Sequence, residues 1–212
     1  MIVITGDKKQ EIDKKSFENF CSKFEKVILD IGTGDGRFVF KNALKDGKNL
    51  YIGMDPAEQQ LKIFSKKVNK KRLSNSLFVL GSIENTPPEL FSLIDRIFIN
   101  LPWGTLLEKI VKSENSSVRN LYNLLKDGGE IEVIFGYLPE LEPSETKRLN
   151  LPKINGDFDV QQIFSSFKRH FTIVEMKRLH KKDLGNLETT WAKKLKFGND
   201  RDIFKIVLKK IS

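Results

Sequence analysis

From residue 26 onward the chain alternates short runs of β-branched and aromatic residues with helix-length stretches whose apolar positions recur every three or four residues. That alternation predicts a mostly parallel sheet covered by helices. KVILDIG reads as the first strand, and YIGMD, LFVLGS, RIFINLPWG and EIEVIFG follow as the second to the fifth. Between them RFVFKNALKDG, AEQQLKIFSKKVNKK and TLLEKIVKSENSSVRNLYNLLKDGG read as helical. HFTIVEMKRL and DIFKIVLKKI close the chain as two more strands. A late pair without a long crossover is expected to be antiparallel, which gives an α/β sheet of seven strands with the last one reversed. Ahead of them, IVITG and KKQEID predict a hairpin and SFENFCSKF a helix with Phe17, Phe20, Cys21 and Phe24 on one face, a lid or brace over residues 1–24.

Two segments interrupt the alternation, residues 137–157 and 181–200. Both are polar, rich in turn residues and too long for plain connections. In an open parallel sheet ligands bind beyond the carboxyl ends of the strands, so insertions there are expected to carry recognition. With no internal repeat and no low-complexity linker, residues 1–212 read as one domain.

Composition narrows the function. Hydrophobic residues make up 39% and charged residues 31% of the 212 positions, so the chain can bury a core and wholesale disorder is excluded. No apolar run approaches the roughly 18 residues that span a bilayer, and the opening MIVITGDKKQ has no signal-peptide core, so a soluble cytoplasmic protein is expected. A single cysteine, Cys21, with His170 and His180, offers neither an internal disulfide nor zinc-site spacing, and neither metal nor thiol catalysis is expected. Lys and Arg number 37 against 28 Asp and Glu, a net charge of +9 that suggests an anionic partner without naming it.

The strongest chemical signal is Asp30-Ile31-Gly32-Thr33-Gly34-Asp35-Gly36-Arg37, placed after a strand and before a helix. The glycines permit a tight turn and close approach to a nucleotide-like ligand. A dinucleotide fingerprint would need glycine at Val39, and Asp30 would repel a phosphate. A carboxylate there instead attracts a cation, such as the ammonium of S-adenosylmethionine, a cofactor without phosphate. Asp55 ends the second strand, where it can accept both ribose hydroxyls, and Gly81 to Glu84 end the third, where the adenine end would lie. The bland alternative, glycines that merely make a turn, does not account for the two acids in the right element order.

The fourth strand ends in Asn100-Leu101-Pro102-Trp103-Gly104-Thr105. Amino-methylating enzymes of the class I methyltransferases often carry Asn or Asp, two prolines and an aromatic here, and Leu101 stands in place of the first proline. An isolated tryptophan is more often core than ligand contact. A second, Trp191, falls in the late insertion, and two indoles over one sheet edge could sandwich a flipped base.

DIGTGDGR, YIGMDP, LPWGTLLE and WAKKLKFG together resemble the aminoglycoside-resistance methyltransferases that modify N1 of adenine 1408 in 16S rRNA of the 30S subunit, along nearly the whole chain. The resemblance implies a Rossmann-like class I methyltransferase fold, S-adenosylmethionine as donor, a monomer, and no general base. It places cofactor contacts at Asp30, Gly32, Asp55, Pro56, Leu101, Thr105 and Thr189, to which the residue reading adds Gly34 and Glu84. Base stacking falls on Trp103 and Trp191, and RNA contacts on Lys66, Lys67, Lys70, Lys71, Arg148, Lys194 and Arg201. Lys194 stands where the family has arginine, Asn199 replaces a basic residue, and Arg148 is displaced by one position. Read by itself, the helix over residues 57–71 shows Leu61, Phe64 and Val68 as an apolar stripe opposite Lys62, Lys66 and Lys70. Residues 62–72 carry six of the 37 basic side chains, expected beside the edge where the two tryptophans meet. Other readings are methylation of another rRNA or tRNA base, a cofactor-binding RNA-docking protein without chemistry, and a nicotinamide oxidoreductase.

Overall fold

The computed structural model describes residues 1–180, 183–186, 189 and 201–211. Its first half runs β1 (Ile2–Thr5), β2 (Lys8–Glu11), α1 (Lys14–Cys21), β3 (Val27–Ile31), α2 (Arg37–Lys45), β4 (Leu50–Asp55), α3 (Glu58–Lys71) and β5 (Ser76–Leu80). Then follow β6 (Ile94–Asn100), α4 (Gly104–Val111), α5 (Asn115–Leu124), β7 (Leu125–Phe135), α6 (Pro143–Arg148), α7 (Asp157–Ile163), β8 (Phe171–Leu179) and β9 (Ile203–Lys210). The strands form one sheet in the order β2-β1-β5-β4-β3-β6-β7-β9-β8. β5, β4, β3, β6 and β7 pair in parallel, and β9 runs antiparallel to both β7 and β8.

The seven strands read from the sequence are all present, and the hairpin changes the count to nine. β1 pairs antiparallel with β5 through Val3 and Val79, so the hairpin extends the same sheet instead of standing apart. The long helical segment after β6 is also corrected. It breaks at residues 112–114, where Ser113 takes φ 51°, into α4 and α5, and β7 begins at Leu125. The last residues read as helix, Lys126 to Gly129, belong to that strand.

Alternation along β3 divides the core. Leu29 packs with Phe17 of α1, Leu107 and Ile110 of α4, Leu121 of α5 and Phe164 of the segment after α7. Ile28 faces the other way, with Val39 and Phe40 of α2 and Leu61 and Phe64 of α3. All five residues of β3 are buried, as expected of a parallel strand covered on both faces. α2 and α3 cover only half of their face. Across the rest an ion-pair ladder joins Arg96 to Glu132 at 2.9 Å, Glu132 to Lys205 at 3.2 Å, Lys205 to Glu175 at 3.1 Å and Glu175 to Lys177 at 2.8 Å. Among the described residues, no helix is long and apolar enough to cross a membrane. The carboxyl ends of β3, β4, β5 and β6 meet at one edge, and the candidate site lies there.

Candidate active site

The loop after β3 is built by three turns with positive φ. Gly32 at φ 73° lies so near Leu106 that a Cβ would come within 2.4 Å of its Cδ2, and Gly36 at φ 83° would drive a Cβ to 2.3 Å from the Phe78 ring. Neither position accepts a side chain without rebuilding the loop. The loop amides are committed inside the protein. Gly32 and Thr33 donate to the Met54 carbonyl at 2.8 and 3.2 Å, Gly34 to Asp55 Oδ2 at 2.9 Å, Gly36 to the Thr33 carbonyl at 3.1 Å and Arg37 to Asp35 Oδ1 at 3.1 Å. A phosphate-binding loop presents those donors to its ligand. This loop presents carboxylates.

Asp30 is 3% exposed, and burial pushes its carboxyl up to about 7, against the pull of a hydrogen bond from Asn100 Nδ2 at 3.3 Å. A cation in the cavity would return it to the ionised form. Asp55 is likewise raised by burial, while the amides of Ala57 at 2.8 Å and Gly34 hold its two oxygens in place. Its remaining lone pairs suit two hydroxyl donors. A buried acid for a cation and a second acid for a diol, with these loop amides already engaged, fit a cationic nucleoside lacking phosphate.

Both acids line a cavity of about 570 Å³. Gly32, Gly34, Pro56, Glu84, Leu101, Thr105 and Thr189 line it too, so all nine sequence-selected cofactor residues are brought to one place. Trp103 stands in the same wall and is 38% exposed, more than a core indole would be. Leu101 turns the chain toward it at φ 50°, with its amide on the Ile134 carbonyl at 2.7 Å. Proline is confined near −65°, so this loop is shaped differently from one with two prolines. Ser82, within the Gly81 to Glu84 stretch expected at the adenine end, lines the cavity as well, and so do Gln60, Leu106 and Asn100, which the sequence did not mark as cofactor contacts. Of those three, only Asn100 had a sequence signal, its place at the end of β6 before Pro102 and Trp103.

The basic residues are more dispersed. Arg148 forms a bidentate pair with Glu145, at 2.9 and 2.7 Å, and a Cβ added at Gly104 would lie 4.0 Å from Glu145 Oε1, an ordinary contact. Arg201 is paired with Glu142. α3 buries Leu61, Phe64 and Val68 as its stripe requires, but Lys66 to Lys71 lie on its second half. The helix leads away from the cavity, because it starts beyond the carboxyl end of β4 and delivers the chain to the amino end of β5. Lys66 bonds Asp7 at 2.8 Å in the hairpin turn at that far end. The expectation that the basic stretch 62–72 lies beside the tryptophan edge is thus corrected for most of it: Lys62 is only about 3 Å along the helix axis from Gln60 at the cavity, but Lys66 to Lys71 lie about 9 to 16 Å along it. Lys67 sits 3.9 Å over the Phe64 ring, and Lys70 and Lys71 are exposed. Trp191 and Lys194, and with them Asn199, lie outside the described residues.

The family described as NpmA, 16S rRNA (adenine(1408)-N(1))-methyltransferase, matches residues 2–210. The chain belongs to this family. A 16S rRNA (adenine(1408)-N(1))-methyltransferase of Escherichia coli is 32% identical over 97% of both chains. Among solved structures, a 30S ribosomal adenine-1408 methyltransferase from an uncultured bacterium is 34% identical with a TM-score of 0.79, each chain covered completely. The aminoglycoside resistance methyltransferase NpmB1 is 29% identical with a TM-score of 0.83, again over the whole of both chains. Family membership and the hairpin-extended sheet agree, since the match starts at β1 and runs to the end of β9.

Proposed function

We propose that this chain uses S-adenosylmethionine to methylate N1 of adenine 1408 in the 16S rRNA of the 30S subunit, and thereby confers aminoglycoside resistance. The observation that carries the reading is one cavity uniting a buried acid from β3, a second acid from β4 and an exposed indole beyond β6, in a chain of this family. When bound, S-adenosylmethionine supplies an electrophilic methyl group on a sulfonium.

Asp30 is placed to meet the ammonium of the amino-acid moiety, and Asp55 the ribose hydroxyls. Gly32 and Gly34 keep the backbone close, while Pro56, Glu84, Leu101, Thr105 and Thr189 form the remaining contacts. Trp103 stacks on the flipped adenine from one side and Trp191 from the other. Thr189 supports that pairing, since it precedes Trp191 by two residues and already lines the cavity with Trp103. Adenine N1 has an in-plane lone pair and no proton at neutral pH, so no side chain is asked to remove one. The protein contributes proximity, orientation and exclusion of water. Lys66, Lys67, Lys70 and Lys71, with Arg148 and Lys194 of the insertions, hold the subunit by its phosphates, while Arg201, which follows the second insertion and is withdrawn from solvent against Glu142, braces that surface, and the folded rRNA supplies the specificity. Methylated N1 is positively charged and no longer accepts a hydrogen bond, which removes a contact aminoglycosides need at the decoding site. The chain acts as a monomer of one domain, in the cytoplasm with its ribosomes.

Primer extension on 30S subunits incubated with the protein and S-adenosylmethionine is expected to stop at adenine 1408. Nucleoside mass spectrometry is expected to return N1-methyladenosine. A different methylated base would transfer the activity to another RNA site, and no product would leave a docking protein without chemistry.

A further inference from the structure

Asn100 ends β6 in the wall of the cavity, 8% exposed. Its Nδ2 donates to Asp30 Oδ1, while its Oδ1 is buried without a hydrogen-bond partner among the described residues. A buried acceptor without a donor is costly, and such groups in a cavity wall are commonly completed by the ligand. The amide's orientation is set by its neighbour. With a cation beside it Asp30 is ionised and only accepts, so it draws the NH2 end toward itself and turns the oxygen away.

We infer that Asn100 is a specificity residue for the methyl donor: its Oδ1 accepts a second N–H from the same ammonium that Asp30 holds. This rests on S-adenosylmethionine being the cofactor. An ammonium offers three N–H groups in a tetrahedral array, and at about 2.9 Å to each acceptor it holds two acceptors about 4.7 Å apart. Asn100 Oδ1 belongs to a carboxamide already bonded to Asp30 at 3.3 Å, and both residues line the same cavity. A sulfonium has no N–H to give. The neutral amine of a base could satisfy Asn100 but offers no charge to Asp30. The pair therefore selects donors that retain the amino group, whether or not they carry the methyl.

Calorimetric binding of S-adenosylhomocysteine and methylthioadenosine to the wild type and to Asn100→Leu tests the inference. The first ligand has the ammonium without the sulfonium, and the second lacks the amino acid. Asn100→Leu is expected to weaken S-adenosylhomocysteine roughly ten- to a hundredfold, the usual range for a hydrogen bond to a charged group, and to leave methylthioadenosine unchanged. Repeating the titrations in buffers of different ionisation enthalpy counts the protons exchanged on binding and separates direct contact from action through Asp30, whose carboxyl burial raises. A loss with the same proton exchange in both proteins supports the contact. Equal binding of S-adenosylhomocysteine by both proteins, equal weakening of both ligands, or a loss accompanied by a changed proton exchange would overturn it. Failure of the wild type to bind S-adenosylhomocysteine would instead remove the cofactor assignment on which the inference stands.

Discussion

Arg201 and Glu142 lie 59 residues apart and form an ion pair in which both side chains are largely withdrawn from solvent, 12% and 14% exposed. The other oxygen of Glu142 accepts the Leu138 amide at 2.9 Å. Glu142 belongs to the first insertion and Arg201 directly precedes β9, so the pair ties the first insertion to the start of that strand. Glu142→Gln leaves a guanidinium partly buried without its counter-charge. A loss of roughly 3 kcal/mol is expected, read as a fall of several degrees in Tm. Glu142→Leu with Arg201→Met should recover most of that loss, because neither charge is then stranded. Failure to recover would mean that the two residues are not energetically coupled.

Trp103 should matter to turnover and little to cofactor binding. Stacking on a base is worth about 1 to 3 kcal/mol, so Trp103→Ala is expected to slow single-turnover methylation of 30S subunits by about tenfold or more. Calorimetry with S-adenosylmethionine should change only slightly. Trp191→Ala should behave alike, and full activity in either variant would refute the sandwich.

Asp30 sets a pH dependence whose sign can be worked out. Burial raises its carboxyl from 3.8 to about 7 in the folded chain. Between those values the folded protein keeps a proton that the unfolded chain has released, so this group's contribution to stability falls as pH rises through the window and levels off above it. Asp55 is raised by burial too and acts in the same direction. Cofactor affinity should run the other way, increasing toward pH 7 as the carboxylate forms. Asp30→Asn is therefore expected to raise Tm near pH 8, flatten its pH profile and abolish most cofactor binding, all measurable by thermal melts and calorimetry on the same samples.

The parts legible in the sequence were those specified by neighbours along the chain. Alternating apolar runs marked β3 to β9, and the spacing of Asp30, Gly32, Gly34 and Asp55 marked the cavity because a tight turn and two strand-end acids need only a few adjacent residues. The rest depends on distant partners. Val3 meets Val79 only once the sheet has formed, and Arg201 finds Glu142 only after the first insertion meets the start of β9. Lysine spacing gave the exposed face of α3 correctly, but not which end of the helix adjoins the cavity. Asn100 was visible as a motif residue, whereas its unmatched oxygen follows from the packing around Asp30.

Leu101 tests how tightly the β6 loop is specified. Its φ of 50° is costly for leucine, forbidden to proline and easy for glycine. Leu101→Pro also deletes the amide bonded to Ile134, and should lower Tm and cofactor affinity together. Leu101→Gly keeps the turn and loses only the side chain, which is 7% exposed, so its affinity should stay closer to wild type. If the proline variant bound S-adenosylmethionine normally, the loop would have to adopt a different course from the one described.

The lysines of α3 make a prediction about salt. Removing one lysine that pairs with a phosphate should reduce the slope of log affinity against log salt by about 0.7 to 0.9. Lys70 and Lys71 are exposed, whereas Lys66 already bonds Asp7 and Lys67 covers Phe64, so the four should not contribute equally. Lys70→Glu with Lys71→Glu is expected to weaken 30S binding more than Lys66→Glu with Lys67→Glu and to flatten the slope more. Asp7→Asn frees Lys66 without adding a charge of its own, and should modestly strengthen binding at low salt. Filter binding of 30S subunits across a salt series measures all three. An unchanged slope in the Lys70 and Lys71 variant would make this stretch of α3 an ordinary solvated helix face and leave docking to the insertions.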